Sequence, residues 1–384
     1  MAENKQNKRP NVPPLRFSEF TEPWESSTIG ECCSSLEYGM NAAAKEFDGI
    51  NRYIRITDID ENTSTYSNQD VVSPSGVLED KYLVRENDIL FARTGASVGK
   101  TYHYDKTDGK LYYAGFLIRG GVLPYFNSKF IFYQTQLSRY KKWVTIMSAR
   151  SGQPGINSQE YECFNLFIPT RTEQDKIATF IELLDKRIAV QSKLIEDLKQ
   201  LKSALYQQVF SSMHGQAVAL SNIADIIKGK QINGTELFES GDYYVMNGGI
   251  LPSGYYNDFN TPANTISISE GGNSCGYVQF NDMPFWSGGH CYTLQITSNQ
   301  LDLRYLFHFL KHREQDIMAL RIGSGLPNIQ KKDLERFQIL VPTVDEQQRY
   351  AKFFDCLQRK EDIEASILNQ WLLQKQYLLG QMFI

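Results

Sequence analysis

The sequence predicts two α/β (α+β) globular domains in tandem, each followed by a long α-helix, with the two helices paired as an antiparallel coiled coil. Three observations predict this: an ungapped internal repeat, a Pro…Glu-Gln helix start in each copy of it, and an apolar heptad stripe along the residues that follow. At 384 residues the chain has room for two domains with cores of their own.

The repeat sets Ser151–Asp185 (SGQPGINSQEYECFNLFIPTRTEQDKIATFIELLD) over Ser324–Gln358 (SGLPNIQKKDLERFQILVPTVDEQQRYAKFFDCLQ) at a constant offset of 173. Identities include Gly152/Gly325, Pro154/Pro327, Ile156/Ile329, Phe164/Phe337, Pro169/Pro342, Glu173/Glu346 and Gln174/Gln347. Fainter echoes lie upstream. Tyr53/Tyr244 and Ile59/Ile250 stand at offset 191, and Gly95/Gly272 with Gly99/Gly276 at offset 177. The first copy therefore holds 14 extra residues between those landmarks, expected as loop.

Each copy ends in a strand-like run (FNLFIP, FQILVP) closed by Pro169 or Pro342. Thr172 or Asp345 is the expected cap of the helix that follows, and acids in its first turn suit the helix dipole. In the first helix Ile177, Leu184, Leu198 and Leu205 share one heptad position, Phe180, Leu194 and Leu201 another, with Ile181, Ile188, Ile195 and Val209 beside them. In the second, Tyr350, Leu357, Trp371 and Leu378 run with Phe353, Ile367, Phe354, Leu368 and Met382. A stripe about three positions in seven wide packs on one helix and leaves room for others. Arg187, Gln191, Lys360 and Glu361 interrupt it. From Glu173 to Phe210 the first helix spans about 57 Å at 1.5 Å per residue.

The run FARTGASVGKTYHY (Phe91–Tyr104) imitates a phosphate-binding loop, but only three residues separate Gly95 from Gly99, one too few. Its second copy, SEGGNSCGYVQF (Ser269–Phe280), keeps both glycines and replaces Lys100-Thr101 by Tyr277-Val278. Backbone geometry, then, retains the glycines, and a nucleotide hydrolase is the weakest reading.

Other chemistries are excluded by what is missing. A net charge of −4, with 22% charged and 41% hydrophobic residues, describes a soluble globular chain. No apolar run has membrane-spanning length and the start lacks a signal-peptide core, so the expectation is a cytoplasmic protein with no membrane partner. Cys32, Cys33, Cys163, Cys275, Cys291 and Cys356 form no C-x-x-C pair and are expected as buried free thiols. His308 and His312, four apart, read as a helix surface, and the histidines (His103, His214 and His290 completing the five) show no metal spacing. An amino-methyltransferase motif is absent, since Asn11-Val12-Pro13-Pro14-Leu15 has the wrong order. Asp70 with Glu79-Asp80-Lys81 is only a shadow of a nuclease site. No catalytic residue, metal or cofactor is expected.

With its opening PPLRFSEFTEPWE (Pro13–Glu25), the SGQPGI and SGLPNI loops and the two P-T-x-x-E-Q helix starts, the chain resembles the specificity subunit of type I restriction-modification enzymes over nearly its whole length. The resemblance implies a first target-recognition domain at 1–170, a spacer helix at 171–213, a second target-recognition domain at 214–342 and a second spacer helix at 343–384. It implies that each domain reads one half of a bipartite double-stranded DNA target. The helices would space the domains and dock methyltransferase subunits, two of them, with restriction/translocase subunits joining through the complex. Glu173, Gln174, Glu346 and Gln347 are then the expected partner-docking residues at the helix starts. For DNA contact, loop-borne Arg, Lys, Asn and Gln beside aromatics are the useful types. Candidates in the first copy are Arg93, Lys100, Tyr102, Arg139, Lys141, Lys142, Arg150 and Gln153. In the second they are Lys228, Lys230, Asn273, Arg321 and Asn328. The alternative is a non-enzymatic coiled-coil scaffold whose domains bind protein.

Overall fold

A computed structural model of the chain describes residues 11–149, 152–323, 325 and 327–384. The described chain divides into two compact units, one of residues up to Val190 together with Leu368–Ile384, the other Gln191–Ile367. Each unit thus takes part of both long helices.

In the first unit a four-stranded antiparallel sheet carries, in spatial order, Cys33–Tyr38, Leu117–Val122, Asp88–Ala92 and Thr101–His103. The strand DILFA at Asp88–Ala92 is buried throughout: Ile89–Ala92 is an apolar run, and the buried Asp88 accepts from the Arg85 N–H at 2.7 Å. A parallel pair, Asn51–Ile54 with Lys110–Tyr113, extends the domain, and Glu25–Thr28 pairs antiparallel with Asn165–Ile168. The second unit repeats the plan. Its sheet order is Ala224–Lys228, Cys291–Ile296, Thr265–Ser269, Val278–Asn281, its parallel pair Tyr243–Met246 with Trp286–Ser287, and its closing pair Gln216–Ala219 with Gln338–Val341. The internal repeat is therefore a repeat of topology. The first copy's extra residues fall between Ile54 and Asp88, where a 3-10 turn (Ile56–Asp58) and a short strand (Val72–Pro74) intervene.

The long helices run Arg171–Ser212 and Val344–Met382. Within the first unit Asp185 pairs with Lys375 at 2.6 Å and the Arg187 guanidinium lies 5.0 Å over the Trp371 ring. Within the second, Gln191 donates to Glu364 at 2.7 Å, Lys202 pairs with Glu361, and the Tyr206 ring stacks on Phe354 at 4.3 Å. In both units residue numbers rise on one helix as they fall on the other, so the pairing is antiparallel. Arg187, Gln191 and Glu361, which break the apolar stripe, are interhelical contacts. Ile177, Ile181, Leu184 and Ile188 join the first core together with Leu378, Leu379, Met382 and Phe383.

The helix starts differ from expectation. Thr343, not Asp345, caps the second helix: its hydroxyl accepts from the Glu346 N–H, and Glu346 accepts from the Thr343 N–H and hydroxyl, a reciprocal capping box. Gln347 is buried; its carbonyl accepts from the Asp302 N–H and its amide donates to the Gln300 and Pro342 carbonyls. Gln174 does the same in the first unit, accepting from the Asn127 N–H and donating to Pro169. Asn127 and Asp302 are themselves N-caps, of Ser128–Gln134 and Leu303–His312. Glu173 is also buried, accepting from Arg16 Nε and Nη2 at 2.7 Å each and from the Trp24 indole N–H at 3.3 Å. Sequence reasoning assigned these residues to partner docking. Burial gives Glu173, Gln174 and Gln347 an internal role instead, fastening each helix to its own domain; of the four, Glu346 alone stays accessible.

His308 is not on a helix surface. It is buried between the Tyr206 hydroxyl on Nδ1 and Asp355 on Nε2, both at 2.8 Å. Cys32, Cys33, Cys275 and Cys291 are buried free thiols as expected, whereas Cys163 and Cys356 are exposed. Among the described residues no helix is long and apolar enough to cross a membrane.

Candidate nucleic-acid interface

In both units the glycine turn and the Ser-Gly-x-Pro loop are stitched together by the same backbone bonds. Gly95 N–H donates to the Pro154 carbonyl at 3.0 Å, and Gly272 N–H to Pro327 at 3.0 Å. Ile156 N–H donates to Arg93 and Ile329 N–H to Glu270, each at 2.9 Å. Arg93 N–H donates to Phe116 at 3.0 Å, and Glu270 N–H to His290 at 2.9 Å. The turns themselves close through Gly99 N–H to Ala92 and Gly276 N–H to Ser269, at 2.9 and 2.8 Å. Three loops thus form one cluster in each copy.

The glycines are demanded by this geometry. Gly95 and Gly99 have φ of 69° and 85°, and Gly272 and Gly276 of 78° and 92°. A Cβ on Gly99 would lie 2.5 Å from Val144, and one on Gly276 would lie 2.8 Å from Met318. The Gly95 turn runs from strand to 3-10 turn to strand, without the helix on which a phosphate loop depends. Lys100 stands 3.7 Å from Glu61, on the surface.

On the shared scaffold stand different side chains. In the first copy the Arg93 guanidinium lies 4.8 Å over the Tyr38 ring and donates to the Gly115 carbonyl at 3.3 Å. The Tyr38 hydroxyl accepts from the Ser158 N–H at 3.1 Å, fixing the ring, and Phe116 is exposed beside them. In the second copy Glu270 occupies the Arg93 position and His290 the Phe116 position. Glu270 accepts from Lys228 at 2.6 Å and Tyr292 at 3.0 Å, and its second oxygen is 3.6 Å from His290 Nδ1.

Of the sequence-derived candidates, Arg93, Lys100 and Gln153 gather in the first cluster, with Gln153 exposed and its amide near Gly95. Lys141 and Lys142 are exposed on the adjoining helix Ser138–Met147. Lys228, Asn273 and Asn328 gather in the second cluster, with Arg321 exposed nearby and Lys230 exposed beyond the edge strand. Arg150 lies outside the described residues. Two candidates are corrected. Tyr102 is 1% exposed in the core, its hydroxyl donating to Asp108 at 2.6 Å, because its strand position faces inward. Arg139 is held over the Phe164 and Phe167 rings and donates to Gln134; burial lowers its pKa to about 10. Sequence reasoning missed Tyr38, Phe116, His290 and Glu270. The offset of 177 that aligned the glycines also aligns Arg93 with Glu270 and could have found that pair.

Beside the second cluster, Ile250 and Leu251 form an exposed apolar loop tip. The loop's base is closed by Ser253 N–H to Val245 and held by the Ser269 hydroxyl donating to Gly248 at 2.7 Å.

The family model described as type I restriction modification DNA specificity domain matches residues 21–200 and again 216–371. A putative type I specificity subunit of Mycoplasma pneumoniae is 37% identical over 134 residues, 34% of this chain and 36% of that protein. One from Mycoplasma genitalium is 32% identical over 152 residues, 39% of each chain. The chain thus aligns with little more than a third of these relatives' length. A putative specificity subunit of a Methanocaldococcus jannaschii type I restriction enzyme aligns over 96% of this chain and 97% of its own, at 22% identity. The fold matches the crystal structure of a type I restriction-modification S subunit from M. genitalium, with a TM-score of 0.68 at 18% identity over 97% of this chain and 99% of that one. With both copies of its repeat matched, the chain belongs to the type I restriction-modification DNA specificity family.

Proposed function

We propose that the chain is the DNA-recognition subunit of a cytoplasmic type I restriction-modification complex and is itself non-catalytic. Each globular domain reads one half of a bipartite double-stranded target, through the loop cluster that joins the glycine turn to the Ser-Gly-x-Pro loop. The observation that carries this reading is one backbone scaffold built twice with different side chains on it, Arg93 and Phe116 in one copy, Glu270 and His290 in the other. Two readers of unlike sequences call for this: constant framework, variable reading groups. In this reading Lys141, Lys142, Lys100 and Lys230 grip phosphates, which fixes register without reading sequence; their lying at or near the surface supports it.

The long helices space the two domains and dock methyltransferase subunits, two in number, with restriction/translocase subunits joining through the complex. Support comes from Phe180, Leu183, Val190, Leu194 and Leu201, exposed apolar residues that recur along the first helix. Apolar surface at heptad spacing left uncovered by the paired helix suits a further helical partner. Methylome sequencing of cells carrying the partner subunits, with and without this chain, tests the reading. A bipartite methylated motif present only with the chain is expected; its absence would sink the proposal and favour the protein-binding scaffold.

A further inference from the structure

Building on that reading, we propose that Arg93 reads a guanine in the half-site bound by the first domain, and that the second domain has no counterpart to this contact. A guanidinium reads guanine by presenting two parallel N–H donors to O6 and N7 in the major groove. That requires a plane held in advance, with donors left over. Arg93 meets both conditions. Its guanidinium stacks 4.8 Å over the Tyr38 ring, and Tyr38 is pinned by the Ser158 N–H at the start of the short helix Ser158–Glu162. A single bond to the Gly115 carbonyl uses one N–H of Nη1, one of the guanidinium's five donors. No ion pair engages Arg93 among the described residues, unlike Lys100 with Glu61 or Arg119 with Glu37. Its backbone lies at the junction of the cluster, donating to Phe116 and accepting from Ile156, so the side chain departs from a fixed point.

The second copy supplies the contrast. The same junction, with the same two backbone bonds, carries Glu270, a carboxylate held by Lys228 and Tyr292. A carboxylate offers only acceptors and is repelled by the acceptor pair of guanine. The two half-sites therefore differ at the base that meets this junction, and the target is asymmetric there.

The test uses the full complex with its methyltransferase subunits and the motif found by methylome sequencing. Arg93→Ala should relax one position of one half of the motif, a G·C pair, and leave the other half unchanged. Loss of a bidentate contact should weaken binding to the cognate duplex roughly 5- to 150-fold. In wild type, 7-deazaguanine at that single guanine should reproduce part of the loss, and Arg93→Ala should be indifferent to it. Arg93→Gln, which keeps a polar side chain over Tyr38, guards against misfolding and should lose the guanine preference as well. A uniform loss of affinity with the motif intact would mean a phosphate contact and overturn the inference. So would relaxation at an A·T pair. A wild-type complex yielding no bipartite motif would overturn the proposed function too, whereas an unaltered motif in Arg93→Ala overturns this inference alone.

Discussion

Gln174 and Gln347 hold one position of the repeat and make the same bonds, each accepting from the N-cap of a neighbouring helix and donating to the proline that closes its own strand. Replacing either by Leu keeps the volume and strands a buried N–H and carbonyl, at about 1–3 kcal/mol for each group left unpaired. Thermal unfolding should show Gln174→Leu lowering the first unit's transition and Gln347→Leu the second's; equal stability in either variant would refute the fastening role. Glu173→Gln should cost more, about 3–5 kcal/mol, because it leaves the Arg16 guanidinium, 10% exposed, without its charge partner. His308 is a further buried polar side chain whose partners fix its state. Burial pushes its pKa down to about 4, so it is neutral in the fold, with Nε2–H donating to Asp355 and Nδ1 accepting from Tyr206. A base with a depressed folded pKa is protonated first in the unfolded chain, so stability is lost as pH falls from about 6.5 towards 4. In the first unit His103 is likewise lowered to about 4 by burial, but Asp88, raised to about 6 by burial, titrates in the opposite sense over the same window. Acid should therefore destabilise the second unit more steeply, and His308→Gln should flatten that slope in melts from pH 7 to 4.5. None of this was legible in the residues alone: which Gln, His or Tyr turns inward depends on the partner strand or helix it meets, as Tyr102 and Arg139 also show.

At the scale of elements, heptad spacing is enough to read both helices and their pairing, because a 3.5-residue apolar period carries its own partner requirement. It is not enough to show where the second helix ends its work. Leu378, Leu379, Met382 and Phe383 lie in the first unit's core, where Phe383 stacks on Phe130 at 5.2 Å and meets Trp24 edge-on. Partners as far off in sequence as Phe130 (383 − 130 = 253 residues) and Trp24 (383 − 24 = 359 residues) leave no local periodic trace. Deleting 378–384 removes several side chains worth about 2–5 kcal/mol each, more than a domain's usual margin. Hydrogen exchange should then show protection lost over Leu117–Val122 and Ser128–Gln134 while Cys291–Ile296 stays protected. Protection retained in the first sheet would mean the tail is dispensable. The uncovered stripe makes a separate prediction. Leu194→Glu with Leu201→Glu changes exposed positions, so folding should shift by no more than about 0.5 kcal/mol each. Light scattering should nonetheless show methyltransferase assembly weakened.

For the whole molecule, the question is whether each domain is a separable reader. The chain enters the second domain at Gln216 and leaves it at Val341, and these two residues are cross-strand partners in the pair Gln216–Ala219 with Gln338–Val341. The first domain is closed in the same way by Glu25 opposite Ile168. A segment whose ends lie side by side can be exchanged without moving what it is attached to. Every candidate DNA contact of the second copy, from Lys228 to Asn328, falls between those ends, while both long helices lie outside them. On the proposed reading, recognition and spacing therefore fall on different stretches of sequence. Replacing 216–341 by the corresponding segment of another specificity subunit should change one half of the methylated motif. The other half, and the number of base pairs between them, should be preserved. Adding a heptad to each helix should do the reverse, keeping both half-sites and lengthening the gap by about three base pairs, since seven residues at 1.5 Å add about 10.5 Å. The two results are read from the same methylome measurement. A segment exchange that altered both halves would mean the domains do not read independently. An active heptad variant with an unchanged gap would remove the helices as the ruler while leaving each domain's reading intact.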